Sequence, residues 1–416
     1  MGLLDNWLPV LSSLKEAEDI HISVIFPTQS IIGGLINNTF LRVQTNELCD
    51  DFFLKDNEII WKYSNNLEEL CLRKKSALLM FQDKIIRKLK LIKIIKIIIS
   101  NIELLFFNRG FKKSIFDDTQ LVLCDVSEIK KEYNVMIFSK FNSLPKFSIS
   151  HALSLPPHEE GEQTHKDGFI EDVYCFLFSK KDTHKYQSQY NVMRKNLFVT
   201  GIPRHCPRWI NKIMQFFCGN NLFGGQNYAL LISRPSNDFF YLSEKQKKQY
   251  LKLIKKVVIE NNGLCLVIKK HPGEYDDKIF YDILGNDSYG VKWKFSDMHP
   301  YYLGKMSEVC ITFYSGIAID MAAIRVNSIE LNNLSELESD NNKHIYMIKN
   351  GAAVSPYSYY NLTKRITSED ALDHYVRSCI NAKGLLNQDN YNNYCAIFEK
   401  NERCIENITN IMLKLS

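Results

Sequence analysis

Between Tyr228 and Leu331 the chain alternates short apolar runs with segments of helical period, and this alternation constrains the fold more than any other feature. The runs are YALLISR (228–234), LCLVIKK (264–270), VKWKF (291–295), EVCITFY (308–314) and NSIEL (327–331). Apolar runs bounded by polar turns, with helical segments between them, are typical of a parallel sheet covered on both faces. The sequence therefore predicts an α/β fold with right-handed βαβ crossovers, an architecture that binds nucleotides.

The length indicates two domains, because 416 residues exceed what one ordinary core holds. A similar alternation occurs nearer the N-terminus, and a Gly/Asn cluster, CGNNLFGGQN (218–227), separates the two stretches. We therefore predict an N-terminal domain over 1–217 and a C-terminal domain over 218–416. Helices predicted over 369–382 and 391–415 either finish the second domain or pack back across the first.

Composition excludes several classes of protein. The 11 cysteines contain no CxxC pair and no Cys/His spacing suited to zinc, so we expect reduced thiols in a cytoplasmic protein and no metal site. The first residues lack the pattern of a secretory signal. A net charge of +5, without an aromatic-basic module, argues against a nucleic-acid partner.

Residues 84–113 form a local exception, because they combine apolar side chains with many cations and one acid, Glu103. No stretch is apolar enough for a membrane span. One interpretation is peripheral contact with the anionic inner face of a membrane. The alternative is a core helix whose lysines extend to solvent. The cations are Lys84, Arg87, Lys88, Lys90, Lys93, Lys96, Arg109, Lys112 and Lys113.

A first candidate for chemistry is the pair His271-Pro272, directly after the run LCLVIKK. In open α/β sheets ligands bind outside the carboxyl ends of the strands, so polar residues at these ends are the best candidates. A histidine there can donate a hydrogen bond or a proton to a departing phosphate. His-Pro pairs are common, and a second one occurs at His299-Pro300.

A second candidate is Ser315-Gly316, which follows EVCITFY and opens a predicted helix. Free N–H groups at a helix start, with a hydroxyl beside them, suit a phosphate. Ser315 is equally suited to cap the helix, and the two roles are compatible.

A third candidate is the sequence His158-Glu159-Glu160-Gly161 in a polar loop. One of two adjacent carboxylates can act as a general base when its neighbour raises its pKa. A solvated acidic loop is the alternative.

Taken in order, these three clusters resemble the bacterial sialyltransferases and polysialyltransferases of the GT-B fold, whose shared marks are a D/E-D/E-G motif, an HP motif and a Ser-Ser/Thr motif. The resemblance covers roughly residues 150 to 330 in pattern. It implies two Rossmann-like domains facing a central cleft, a CMP-activated sialic-acid-like (nonulosonate) donor, and an acceptor hydroxyl on a capsule or lipopolysaccharide glycan. It implies neither a metal ion nor a further cofactor.

By this resemblance Glu159 or Glu160 is the base, His271 is the acid or a phosphate clamp, and Ser315 holds the phosphate. The chain departs from the family at Tyr314-Ser315-Gly316, where two adjacent hydroxyl residues are expected. The departure leaves the identity of the donor open. The residues expected to bind the donor all lie at or just after the carboxyl end of a predicted strand: Ser233, Arg234, Lys270, Pro272, Tyr314, Ser315 and Gly316.

Other donors give related enzymes of the same architecture. CMP-Kdo, a UDP-sugar or a CDP-polyol are the alternatives, and a diphosphate donor would need extra cations, for which Arg234, Lys269 and Lys270 are placed. A non-catalytic partner in glycan assembly, with the fold but without the activity, is a third hypothesis.

Overall fold

The computed structural model describes residues 2–26, 35, 37–56, 59–64, 119–125, 144–150, 155, 173–236, 241–274, 276–334, 346–382 and 387–415. The segment 84–113 and the pair Glu159 and Glu160 lie outside the described residues.

The N-terminal part contains two small sheets and four described helices. The helices are α1 Gly2–Ala17, α2 Thr39–Leu48, α3 Asp182–Tyr190 and α4 Pro207–Phe216. The strands are β1 Ser23–Phe26, β2 Asp51–Asp56, β3 Ile59–Ser64, β4 Val122–Cys124, β5 Lys146–Ile149, β6 Val173–Leu177 and β7 Leu197–Val199. Strands β4 to β7 pair in chain order and are all parallel, whereas β3 joins the first sheet antiparallel to β2.

The C-terminal part is built on one six-stranded sheet. Its strands are β8 Tyr228–Ile232, β9 Cys265–Lys269, β10 Trp293–Phe295, β11 Val309–Thr312, β12 Ser328–Leu331 and β15 Lys364–Ile366. All neighbours are parallel, in the order β10-β9-β8-β11-β12-β15. The predicted parallel α/β sheet is confirmed, and its strand order is that of a dinucleotide-binding fold.

Helices and a hairpin complete this part. The helices are α5 Glu244–Ile254, which continues as a π-helix over Lys255–Asn261, α6 Lys278–Leu284, α7 Pro300–Lys305, α8 Ile317–Ala323, α9 Pro356–Tyr359, α10 Glu369–Asn381, α11 Gln388–Ile397 and α12 Cys404–Leu415. The hairpin pairs β13 Met347–Lys349 with β14 Ala352–Val354.

The burial of β8 explains why its sequence is a continuous apolar run. Ala229 and Leu231 belong to one hydrophobic cluster, whereas Leu230 and Ile232 belong to another. Since alternate side chains of a strand point to opposite faces, the sheet is covered on both faces. Each face of β8 thus packs in a separate core.

The C-terminal helices serve both parts of the molecule. A single helix was predicted over 391–415, but the chain forms two, with a break after Ile397. Helix α11 packs on α8 in the second part, and α12 packs on α1 in the first. Met412 and Ile408 of α12 share a buried cluster with Trp7 and Leu8 of α1. The segment predicted as one helix over 391–415 thus forms one helix that packs on the second part of the chain and one that packs on the first. The predicted boundary at 217/218 stays a prediction.

A buried polar cluster fixes α8 to the segment before α4. Asp320 Oδ1 accepts hydrogen bonds from Arg204 Nε (2.9 Å), His205 Nε2 (2.6 Å) and Tyr301 Oη (2.9 Å). All four side chains are buried. Although burial opposes ionisation, the charge of Arg204 and the hydrogen bond from His205 lower the pKa of Asp320 to about 2. The carboxylate is therefore ionised and joins residues of both predicted domains.

Candidate functional site

The strand order reverses between β8 and β11, which are neighbours although two strands intervene in the chain. At such a reversal the connections leave the sheet in opposite directions, so a crevice forms at the carboxyl ends. Strand β8 ends at Ile232 and β11 at Thr312, and the two residues are partners in register. The residues that follow them, Ser233-Arg234 and Tyr314-Ser315, therefore meet at one edge of the sheet, as do those that follow β9.

Arg234 bridges this crevice. Its Nη1 donates a hydrogen bond to the carbonyl of Tyr314. The guanidinium also lies 4.2 Å from the ring centroid of Tyr241, where a cation–π interaction holds it in place. Desolvation lowers the pKa of Arg234, but an arginine remains charged. The side chain thus offers a fixed positive charge, and no described residue supplies a carboxylate to neutralise it through an ion pair.

His271 lies just after β9, and its ring is oriented by the backbone. The N–H of Gly273 donates to His271 Nδ1 at 3.0 Å. Because a backbone N–H can only donate, Nδ1 must accept, so the neutral ring carries its proton on Nε2. Although the residue is exposed, partial desolvation and the charge of Arg234 lower the pKa of His271. The ring is therefore prepared as a neutral donor through Nε2.

Ser315 and Gly316 form the start of α8. The N-cap is Gly316, and Ser315 Oγ accepts a long hydrogen bond from Ile317 N (3.4 Å). The serine hydroxyl proton remains available to a ligand. Helix α8 spans only Ile317–Ala323, so its dipole is that of a short helix.

Tyr314 has an uncommon backbone conformation, with a φ of +62°. Non-glycine residues in this region are infrequent and often occur at functional sites. Its ring packs against Tyr241 (4.6 Å) and Tyr357 (5.6 Å). These aromatic contacts hold the Tyr314 carbonyl where Arg234 reaches it.

The two lysines after β9 are engaged by other groups. Lys270 Nζ lies 2.6 Å from Asp277 Oδ1. Lys269 is buried, and its Nζ donates to the carbonyl of Asn37 at 2.5 Å. Burial lowers the pKa of Lys269 to about 7, opposed in part by Asp297. Three cations were suggested for a diphosphate. Among the described residues, Lys270 has an acidic partner and Lys269 contacts the N-terminal part, whereas Arg234 has neither.

Ser233 and Pro272 contribute to the framework of the site. Ser233 Oγ donates to Glu274 Oε1 at 2.9 Å, and Lys247 forms a buried ion pair with the same carboxylate. Pro272 lies in the turn that returns the chain to Glu274, whose N–H bonds to the carbonyl of His271. The pair Lys247–Glu274 therefore fixes the His271 turn to the end of β8. Lys247 and Glu274 were not predicted from the sequence, because only the fold brings them together.

No family model matches the chain, and no curated protein matches it. Solved structures do match. S. aureus MnaA, in its co-structure with UDP, has a TM-score of 0.50 at 14% identity, covering 95% of this chain and 97% of that chain.

The strand order of the C-terminal sheet and this alignment over nearly the whole length of the chain decide the fold. The chain has a GT-B fold. The fold predicted from the sequence is thereby confirmed.

Two further structures are similar at lower scores. The UDP-GlcNAc 2-epimerase from Neisseria meningitidis bound to UDP-GlcNAc has a TM-score of 0.48 at 12% identity, covering 99% of this chain and 97% of that one. The wall teichoic acid polymerase TagF has a TM-score of 0.42 at 12% identity, covering 68% and 69%. A shared fold hosts many reactions, so the similarity concerns architecture.

Within the described part of the chain no group of three His, Cys, Asp or Glu side chains has the geometry of a metal site. Among the described helices none is long and apolar enough to cross a membrane.

Proposed function

We propose that the chain is a glycosyltransferase that moves a nonulosonate sugar from its CMP donor to a hydroxyl of a bacterial capsule or lipopolysaccharide glycan. The observation that carries the proposal is the set of hydrogen-bond donors at the reversal of strand order. Arg234, His271 and Ser315 follow three adjacent strands and each retains a donor group without a partner among the described residues. A group of donors without a facing carboxylate suits an anion.

The number of available cations favours a donor with one phosphate. At its phosphate a CMP-nonulosonate carries one charge, which one guanidinium balances. Its second charge is on the carboxylate of the sugar. A UDP- or CDP-linked donor carries a diphosphate, for which Lys269 and Lys270 were the other candidates. Lys270 is paired with Asp277, and Lys269 is buried against Asn37. Within the described residues the crevice therefore matches one phosphate better than two.

In the proposed reaction the acceptor hydroxyl attacks the anomeric carbon of the sugar, and the bond between that carbon and the CMP phosphate oxygen breaks. The acceptor proton passes to a carboxylate, for which Glu159 and Glu160 remain the candidates. CMP leaves with the electron pair. Arg234, Ser315 and His271 Nε2–H stabilise the charge that develops on its phosphate. The tautomer of His271 favours a role in binding the phosphate over a role as the general acid. A histidine that acts as the acid carries a proton on both ring nitrogens, and a proton on Nδ1 would break the hydrogen bond from Gly273.

The location and the membrane contact predicted from the sequence are also part of this proposal. The protein would act in the cytoplasm, with residues 84–113 as the segment for peripheral contact with anionic lipid. The alternative hypotheses are a UDP-sugar, CMP-Kdo or CDP-polyol donor, and a non-catalytic role in glycan assembly.

The experiment measures nucleotide release by the purified chain from CMP-sialic acid, CMP-Kdo and UDP-N-acetylglucosamine, with water as the acceptor. We expect slow release of CMP from the sialic-acid donor, and a loss of about 100-fold in Arg234→Ala. Arg377→Ala is the matched control, because that arginine is exposed and pairs with Asp373 on α10. Preferential release of UDP would replace the proposed donor, and no release from any donor would favour the non-catalytic role.

A further inference from the structure

The one-turn helix α9 brings a distant tyrosine to the start of α8. A Cβ placed on Gly316 would lie 3.7 Å from the hydroxyl oxygen of Tyr357. That hydroxyl therefore lies beside the backbone that follows Ser315, although Tyr357 is far along the chain. A serine at position 316 would carry its own hydroxyl into the neighbourhood of the Tyr357 hydroxyl.

Helix α9 is held in this position by a buried carboxylate. Glu330 in β12 is fully buried and accepts hydrogen bonds from the hydroxyls of Ser355 and of Ser358 (2.7 Å). Ser355 also caps the helix, since its Oγ accepts from Ser358 N at 3.1 Å. These bonds anchor α9 at both ends of its single turn.

The ring of Tyr357 is fixed from a second side. It packs edge-on against Tyr314, with ring centroids 5.6 Å apart and an interplanar angle of 69°. Tyr314 in turn contacts Arg234 through its carbonyl. The hydroxyl of Tyr357 thus belongs to the same rigid group as the guanidinium and the start of α8.

The Tyr357 hydroxyl makes no hydrogen bond to any described residue, although the side chain is half-buried. A hydroxyl that the fold holds in place without a protein partner can bind a ligand or an ordered water. Burial, together with the charge of Glu330, raises the pKa of Tyr357. The hydroxyl consequently keeps its proton and can donate.

We propose that Tyr357 is a further donor-binding residue, whose hydroxyl donates a hydrogen bond to the phosphate of the nucleotide held by Arg234 and Ser315. The inference rests on the proposed function, because it names an additional ligand of that same site.

The test compares Tyr357→Phe with Tyr359→Phe, a matched control on the same turn of helix, by titration with CMP. Loss of a hydrogen bond to a charged group predicts an affinity about 10-fold lower in Tyr357→Phe and unchanged in Tyr359→Phe. Thermal unfolding without nucleotide checks that both variants fold.

A rescue experiment separates a direct contact from a structural effect. Gly316 has an ordinary helical φ of −57°, so serine fits its backbone. We expect Gly316→Ser, introduced into Tyr357→Phe, to recover most of the lost affinity. A purely structural role for Tyr357 predicts no recovery.

The outcomes distinguish this inference from the proposed function. Wild-type binding of CMP that Ser315→Ala weakens and Tyr357→Phe leaves unchanged would overturn the role of Tyr357 alone. If the wild-type chain binds neither CMP, UDP nor CDP, both proposals are overturned.

Discussion

The guanidinium of Arg234, at the end of β8, donates a hydrogen bond to the carbonyl of Tyr314, at the end of β11. These strands are the pair at which the strand order reverses, so one side chain joins the two sides of the crevice. A phosphate bound there would meet a charge that is already oriented. Such preorganisation reduces the cost of ordering side chains on binding.

The first prediction concerns the role of His271. If the ring acts through its Nε2–H, His271→Gln should keep much of the activity, because the glutamine amide places an N–H near the same point. His271→Ala should lower turnover by roughly 100-fold. Turnover of both variants is compared with that of His374→Gln, an exposed histidine on α10. Equal and large losses in both His271 variants would favour acid catalysis.

The second prediction concerns the buried cluster around Asp320. Asp320→Asn leaves Arg204 buried without a counter-ion, and this should lower the free energy of unfolding by about 3–5 kcal/mol. Urea unfolding of the variant measures the loss, with the exposed Asp287→Asn as a control that should change little.

The pH dependence of Asp320 has a defined sign. Its folded pKa of about 2 lies below the ordinary 3.8. Its ionisation therefore stabilises the fold above pH 3.8, and this contribution is lost as the pH falls towards 2. Asp320→Asn also removes the hydrogen bond and charge that oppose the lowering of the pKa of buried His205. The difference between wild type and Asp320→Asn should therefore widen as the pH falls below 6.5 and shrink only below about pH 4. A difference that begins to shrink near neutral pH would contradict the assignment.

The third prediction concerns Lys269. Its folded pKa of about 7 lies below the ordinary 10.5, so between these values the unfolded chain binds more protons than the folded one. The stability of the wild type, relative to Lys269→Met, should therefore rise as the pH increases from 7 to 10. Asp297 remains in both proteins and cancels in the comparison. A flat difference over this range would show that the amine is charged in the folded state.

The fourth prediction concerns the base. Glu159→Gln and Glu160→Gln should differ sharply in turnover if one carboxylate faces the acceptor, with a loss of roughly 100-fold in the variant that removes the base. Affinity for CMP should stay unchanged in both, since neither acid contacts the phosphate in the proposal. Two mild and equal effects would favour a solvated acidic loop.

The C-terminal sheet could be predicted from the sequence because its strands are buried on both faces. Burial on both faces requires apolar side chains at successive positions, as in LCLVIKK, and such runs are visible without a structure. The rule that ligands bind at carboxyl ends then identified Arg234, His271 and Ser315 as neighbours.

The residues that hold the site in place could not be predicted, because their contacts join residues that are distant in sequence. Glu274 contacts Ser233 and Lys247 only after β8, β9 and α5 have packed together. Tyr357 reaches Gly316 through a helix whose anchor, Glu330, reads in the sequence as an ordinary polar position in a strand. A charged residue inside an apolar run was the one local signal for Glu330.

The packing of α12 on α1 could not be predicted from the sequence for a similar reason. Amphipathic period predicts that a helix has an apolar face but does not identify the surface that covers it. Trp7 and Met412 share a core only in the folded chain.

The central claim is that the crevice between β8 and β11 holds the phosphate of a CMP donor. Thermal unfolding of the purified chain, with CMP, UDP and CDP added separately, tests it most directly. CMP at 100 times its dissociation constant should add about 2.7 kcal/mol to the free energy of unfolding, and UDP and CDP are compared at that same concentration. We expect CMP to stabilise the chain more than UDP or CDP does, and we expect Arg234→Ala to abolish the effect. Stronger stabilisation by UDP or CDP, or stabilisation by CMP that persists in Arg234→Ala, would contradict it.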